Sequence, residues 1–361
     1  MTDVPASAVP DRNELWTVIV KITFALPLLA AAVTLLTTST AQAAVPSPTP
    51  GTLGKYTISA SYVAGVSSGG YMADQLHVAY SGTFEGAGIF TAGPYHCAQG
   101  RLTTAQLACM NNLMPDNLPA LEQTARQRAG SGAIDSLDNL SGHKVWLYHG
   151  TNDSTVKQSV NDDLATFYRD FGADVSYTDT SQAGHAWVSP LGPNPCTVTR
   201  TPYINNCGDD PQQAMLSHLL GTVRAPAAAL SGTLIGFDQK TFVPGGADPG
   251  SISLGRTGFA YVPTACASES CTLLVALHGC NQNYDNALFG AKFMAYANLN
   301  EYADTNHMIV LYPQASANPM VGNPQGCWNW WGYGSDSAYD QHGGKQLETI
   351  MNMVRTITGT T

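Results

Sequence analysis

Short apolar runs and amphipathic stretches alternate along most of this chain. Ile58–Val66, Gly86–Thr91, Val145–His149, Val175–Thr178, Leu234–Asp238, Gly258–Val262, Leu273–Leu277 and Ile309–Tyr312 read as strands. Several are apolar throughout, as strands covered on both faces should be. Helical spacing marks Tyr71–Tyr80, Thr103–Met110, Leu118–Ala129, Gln158–Phe171, Pro211–Leu220, Ala287–Thr305 and Lys345–Ile357. This alternation predicts an α/β fold, a mostly parallel sheet with helices on both faces. No internal repeat and no second linker interrupt it, so residues 55–361 are expected to form one domain.

The N-terminus does not follow the alternation. Lys21 precedes an apolar run, Ile22–Leu36, and Ala41-Gln42-Ala43 fits a small-x-small cleavage site, so residues 1–43 read as a signal peptide. The apolar run is short for a membrane span, although an uncleaved anchor competes with this reading. Residues 44–54, rich in Pro, Ser, Thr and Gly, read as a linker. The expected destination is outside the cytoplasm, extracellular or periplasmic. Charge narrows the partners: 16 Lys and Arg against 26 Asp and Glu give a net charge of -10. That argues against nucleic acid and against anionic membrane, and the chain is expected to act as a monomer.

All 8 cysteines follow the leader, an even count that reads as disulfides. Of the many possible pairings, the most local joins Cys97 with Cys109, Cys196 with Cys207 and Cys266 with Cys271, leaving Cys280 with Cys327. A zinc site is the competing reading. No Cys-x-x-Cys occurs and the histidines lack ligand spacing, so neither metal nor cofactor is expected.

Gly65-Val66-Ser67-Ser68-Gly69 carries the most chemical information. A Gly-x-Ser-x-Gly between a strand and a helix is the context of a nucleophile elbow, a turn so sharp that its flanking residues must be nearly without side chains. A serine hydroxyl needs a base, and the base needs a carboxylate to orient it. The strand Val145–His149 runs into Gly150 and then Asp153, at the carboxyl edge where open sheets bind ligands. Ala183-Gly184-His185-Ala186-Trp187 follows. The order Ser67, Asp153, His185 is that of an α/β-hydrolase. Each residue also has a plainer reading: a turn serine, a turn-capping aspartate, a core histidine. Asp162 and Asp163 read as the solvated start of a helix, and His149 as structural.

A tetrahedral intermediate requires backbone N–H donors. Ser68, just after the nucleophile, is one candidate; the other is Cys280 in Leu277-His278-Gly279-Cys280. That His-Gly loop ordinarily precedes the nucleophile strand, and here it comes late. Joining the two ends of the chain restores the usual order, so the fold is expected to be a circularly permuted α/β-hydrolase, which compact domains tolerate.

Gly65–Ala73, Leu277–Gln282, Tyr312-Pro313-Gln314 and Gly326-Cys327-Trp328-Asn329-Trp330-Trp331 together resemble the secreted poly(3-hydroxybutyrate) depolymerases of the circularly permuted, single-domain type. The resemblance implies Ser67 as nucleophile, Asp153 as orienting acid, His185 as base, and Ser68 and Cys280 as oxyanion donors. It implies an aliphatic polyester or its oligomers as substrate, held by the catalytic domain's own surface. The aromatic cluster of Trp328, Trp330 and Trp331 is expected to bind that neutral chain, with core packing beside Cys327 as the alternative. Two rival functions stay open. One is a feruloyl or acetyl esterase acting on plant polysaccharide, since fold and triad do not define substrate. The other is a non-catalytic secreted binding module on a hydrolase scaffold.

Overall fold

In the computed structural model, which describes residues 45–360, each apolar run read as a strand is one. The segment read as a signal peptide, 1–43, lies outside the described residues. The large sheet contains β1 (Thr49–Pro50), β2 (Ile58–Val66), β3 (Phe84–Phe90), β4 (Lys144–Gly150), β5 (Asp174–Ser181), β6 (Thr233–Asp238), β7 (Thr257–Val262), β8 (Cys271–Leu277) and β9 (Met308–Tyr312). Their spatial order is β1-β6-β7-β9-β8-β2-β3-β4-β5. Every pairing is parallel except those of β7, which runs antiparallel to both β6 and β9.

The central strands are apolar throughout because both faces of the sheet are covered. Successive side chains of a strand point to opposite faces. Val63, Leu273, Val275 and Leu277 accordingly join one core, with α1 (Ser68–Ala79), α2 (Leu118–Ser131), α3 (Gln158–Asp170) and α6 (Lys345–Thr358). Ala64, Leu274 and Ala276, the alternate positions, join the other core with α4 (Pro211–Leu220) and α5 (Leu299–Asn306). The four disulfides are those of the most local pairing, 97–109, 196–207, 266–271 and 280–327.

Three features differ from the expectation. The 44–54 linker is in part sheet: Thr49–Pro50 pairs with Ile235 and Gly236 at an outer edge, where proline's missing N–H costs no ladder bond. The helix expected over Ala287–Thr305 is split into Lys292–Tyr296 and α5, because Asn298 adopts a left-handed conformation (φ 59°, ψ 23°) that asparagine accepts more readily than most residues. A second, three-stranded sheet joins Trp187–Val188, Ile204–Asn206 and Asn194–Pro195, strands too short to register as apolar runs.

One buried group works against the fold. Both carboxylate oxygens of Glu301, on α5, are buried with no hydrogen-bond partner among the described residues. Burial, assisted by Asp304, pushes its pKa from 4.5 to about 7. A raised carboxyl pKa means that the folded chain holds the proton to higher pH than the unfolded chain does. Its ionisation therefore costs nothing below pH ~4.5, and the full ionisation penalty is reached above pH ~7. Glu301→Gln is expected to stabilise the protein by about 1–3 kcal/mol at pH 8 and by almost nothing at pH 4, read from melting curves at both. An equal gain at both pH values would sink the assignment.

Candidate active site

The end of β2 and the start of α1 are separated by Ser67 alone. To turn the chain there, Ser67 takes φ 57° and ψ −124°, a conformation that costs on the order of 1–3 kcal/mol and persists only where its surroundings hold it. They do: Ser67 N–H donates to Phe90 O at 3.0 Å, and Tyr71 N–H donates to Ser67 O at 2.9 Å. A Cβ on Gly65 would lie 2.1 Å from the Gly69 carbonyl oxygen, so the motif's first glycine is dictated by the turn.

From this elbow the three predicted residues converge. Ser67 Oγ donates to His185 Nε2 at 2.8 Å, and His185 Nδ1 donates to Asp153 Oδ2 at 2.7 Å. Asp153 follows β4, in a loop that returns two amides to it: Thr155 N–H and Val156 N–H donate to Oδ1 at 2.8 and 3.0 Å. The Thr91 hydroxyl donates to Oδ2. Burial pushes the Asp153 carboxyl up, but the His185 ring and these hydrogen bonds outweigh it and hold the pKa below the ordinary value. Asp153 is thus an anion with its lone pairs occupied, able to fix the imidazole and to stabilise it when protonated.

His185 comes from the loop leading into the small sheet. Its N–H donates to Thr199 Oγ1 at 2.9 Å, and the preceding Gly184 N–H donates to Cys196 O at 2.9 Å, beside the Cys196–Cys207 disulfide. A Cβ on Gly184 would meet Val198 O at 2.5 Å, so glycine there lets the imidazole loop lie against the 196–199 segment. His149 has the structural place expected of it, with Nε2 at 2.9 Å from Val156 O in the acid loop.

Gly279 packs against the nucleophile: a Cβ there would be 3.4 Å from Ser67 Cβ. The Cys280–Cys327 disulfide anchors the same loop. Ser67, His185, Gly279 and Cys280 line a cleft of about 210 Å³ together with Met110, Tyr203, Asn281 and Gln325. A larger concavity, about 680 Å³, lies at the start of β2, the opposite end from Ser67, and holds none of the three residues.

The tryptophans are a correction. Trp328 is fully buried, its Nε1–H donating to His278 O at 3.0 Å and its backbone N–H to Ser68 Oγ at 3.3 Å. Trp330 is buried and stacks on Tyr71 at 3.9 Å. Trp331 is half-buried, edge-on to Trp330 and Tyr333. None of the three lines the cleft. The cluster packs the core around the 280–327 disulfide, and full burial leaves no ring face for a polymer chain at Trp328. Thr91, Met110, Tyr203, Asn281 and Gln325 are the site residues that motif reasoning did not reach.

A family model described as "Esterase PHB depolymerase" matches residues 257–360. A poly(3-hydroxybutyrate) depolymerase of Delftia acidovorans is 40% identical over 302 residues, covering 81% of this chain and 58% of that protein. A polyhydroxybutyrate depolymerase of Talaromyces funiculosus is 38% identical over 315 residues, covering 82% of this chain and 88% of its own length. Among solved structures, a PHB depolymerase variant complexed with an R3HB trimer superimposes with a TM-score of 0.77 at 34% identity, over 86% of this chain and 99% of that one. The crystal structure of PHB depolymerase from Penicillium funiculosum gives the same values. The chain therefore spans little more than half of the bacterial relative and nearly all of the fungal ones. With such identity over nearly the whole of the fungal proteins, it belongs to the polyhydroxybutyrate depolymerase family.

Proposed function

We propose that this chain hydrolyses the ester bonds of poly(3-hydroxybutyrate) and its oligomers through an acyl-enzyme on Ser67. The observation that carries the reading is the unbroken hydrogen-bonded line from Ser67 Oγ through His185 to Asp153, at the lip of a cleft. His185 takes the proton as Ser67 Oγ attacks the ester carbonyl. The oxyanion is received by the N–H groups of Ser68, at the first position of α1, and Cys280. The helix dipole favours negative charge at Ser68. His185 then protonates the departing hydroxyl, deprotonates a water molecule, and the Ser67 ester is cleaved in turn. Every step is proton transfer and acyl transfer.

The solid polymer is gripped by exposed apolar side chains on loops that lead into the cleft. Leu113 and Met114 follow Met110, Leu288 follows Asn281, and Met320 precedes Gln325; Leu288 is 77% and Met320 92% exposed. These side chains offer apolar area to an apolar surface. The order of the elements along the chain supports reading the fold as a circular permutant. Tyr56 N–H donates to Ile357 O at 2.8 Å, so the segment entering β2 meets the end of α6, and counting from β6 through that junction puts the His-Gly loop before the elbow. Four disulfides fit an oxidising compartment, and residues 1–43 serve as the export signal.

The test pairs clearing of a poly(3-hydroxybutyrate) emulsion and cleavage of a hydroxybutyrate trimer with hydrolysis of methyl ferulate and an acetylated xylan. Clearing and trimer cleavage are expected, with at least ~100-fold lower kcat/KM on ferulate, because a cleft matched to one acyl chain discriminates by differential transition-state binding. Turnover of ferulate without trimer cleavage would sink the polyester reading. Absence of all ester turnover would favour a binding module.

A further inference from the structure

Gly279 and Cys280 share one peptide group, a rigid plane whose carbonyl and N–H point in opposite directions. Fixing the carbonyl therefore fixes where the Cys280 N–H points. The carbonyl has a partner: His278 Nδ1 lies 2.7 Å from Gly279 O. The opposite side of the ring decides the tautomer. Ala315 N–H donates to His278 Nε2 at 3.1 Å, so Nε2 must offer a lone pair and the proton sits on Nδ1, where it donates to Gly279 O. His278 is fully buried, and burial drives its pKa from 6.5 down to about 4, so the ring stays neutral at ordinary pH.

The neighbouring groups of the loop are held as well. The Gly279 N–H donates to Gln282 Oε1 at 2.6 Å, and Gln282 Nε2 donates to Pro202 O and Tyr203 O at 2.9 and 3.0 Å. Asn281 N–H donates to Gln325 O at 2.7 Å, and Cys280 is tied to Cys327. Of the N–H groups from Gly279 to Gln282, that of Cys280 alone has no partner among the described residues.

We propose that His278 is a positioning residue for the oxyanion site: by gripping the far end of the Gly279–Cys280 peptide, it aims the Cys280 N–H at the oxygen of the carbonyl attacked by Ser67. The inference rests on the esterase reading above and names a determinant of its rate. A histidine that merely filled the core, or merely tied β8 to the segment after β9 through Ala315, would leave the peptide's orientation to the rest of the loop.

Two substitutions separate these roles. H278N keeps an N–H donor near the place of Nδ1 and loses the acceptor for Ala315. H278Q keeps an acceptor near the place of Nε2 and loses the donor to Gly279. On a soluble p-nitrophenyl ester, H278Q is expected to lose about 100-fold in kcat with KM little changed, because the oxyanion contact is made in the transition state. H278N is expected to recover at least ~10-fold of that loss. Equal kcat in the two variants, or a higher kcat in H278Q, overturns the inference. Nitrogen-15 NMR of histidine-labelled wild type needs no variant to fold: a proton on His278 Nδ1 supports it, and a proton on Nε2 overturns it. The esterase reading fails separately, if wild type and Ser67→Ala cleave the ester equally; in that case the inference falls with it.

Discussion

Ser67→Ala is expected to lower ester turnover on the order of 10⁵–10⁶-fold and to leave the melting temperature within about 2 °C of wild type. The two halves of this expectation have different causes. Turnover is expected to fall because, among the described residues, the Ser67 hydroxyl is the one hydrogen-bonded to His185 Nε2, at 2.8 Å, and the proposed acyl-enzyme needs it. Stability is spared because the backbone strain at φ 57° is the same for serine and alanine, and the half-buried hydroxyl makes its one described side-chain hydrogen bond to His185. Polymer binding should survive, since the exposed leucines and methionines lie on other loops. The check is steady-state hydrolysis of a hydroxybutyrate trimer, with calorimetry and a sedimentation assay of polymer binding on the same preparation. A variant that keeps even a tenth of the activity would remove Ser67 from the nucleophile's place.

Ser67, Asp153 and His185 were legible because each stands in a local pattern that the fold demands. Two glycines must flank a serine in a sharp strand-to-helix turn, an acid follows a buried strand, and a glycine precedes the histidine where another backbone segment presses close. Thr91 had no such pattern. It reaches Asp153 because β3 pairs with β4 in register, Phe90 opposite Tyr148, and that pairing is a tertiary fact. Met110 and Gln325 enter the cleft from loops with no regular structure. The direction of β7 was hidden for a related reason: an apolar strand buried on both faces looks the same whichever way it runs. The tryptophans misled because aromatic residues serve core and cleft equally well, and only burial tells the two apart.

The same close packing makes one glycine far more sensitive than its place on a helix suggests. Gly69 lies in the first turn of α1, where alanine would ordinarily be welcome. A Cβ there would fall 2.3 Å from Leu277 O and 2.4 Å from His278 O, backbone atoms of the strand end that carries the His278–Cys280 loop. Neither oxygen can yield without moving β8 or α1, so Gly69→Ala is expected to cost about 3–5 kcal/mol and roughly 10 °C in melting temperature. It should also spread Ser68 and Cys280 apart, so kcat falls even in the fraction that remains folded. Gly130, near the end of α2, is the control: nothing lies within 4 Å of its Cβ position, and Gly130→Ala should stabilise by about 0.5–1 kcal/mol through the unfolded chain alone. Calorimetry and trimer hydrolysis on the two variants decide the matter. An unchanged melting temperature in Gly69→Ala would mean that α1 and β8 do not meet as closely as the elbow requires. If helix and strand stood further apart, nothing would hold the two amides proposed for the oxyanion within reach of one ester.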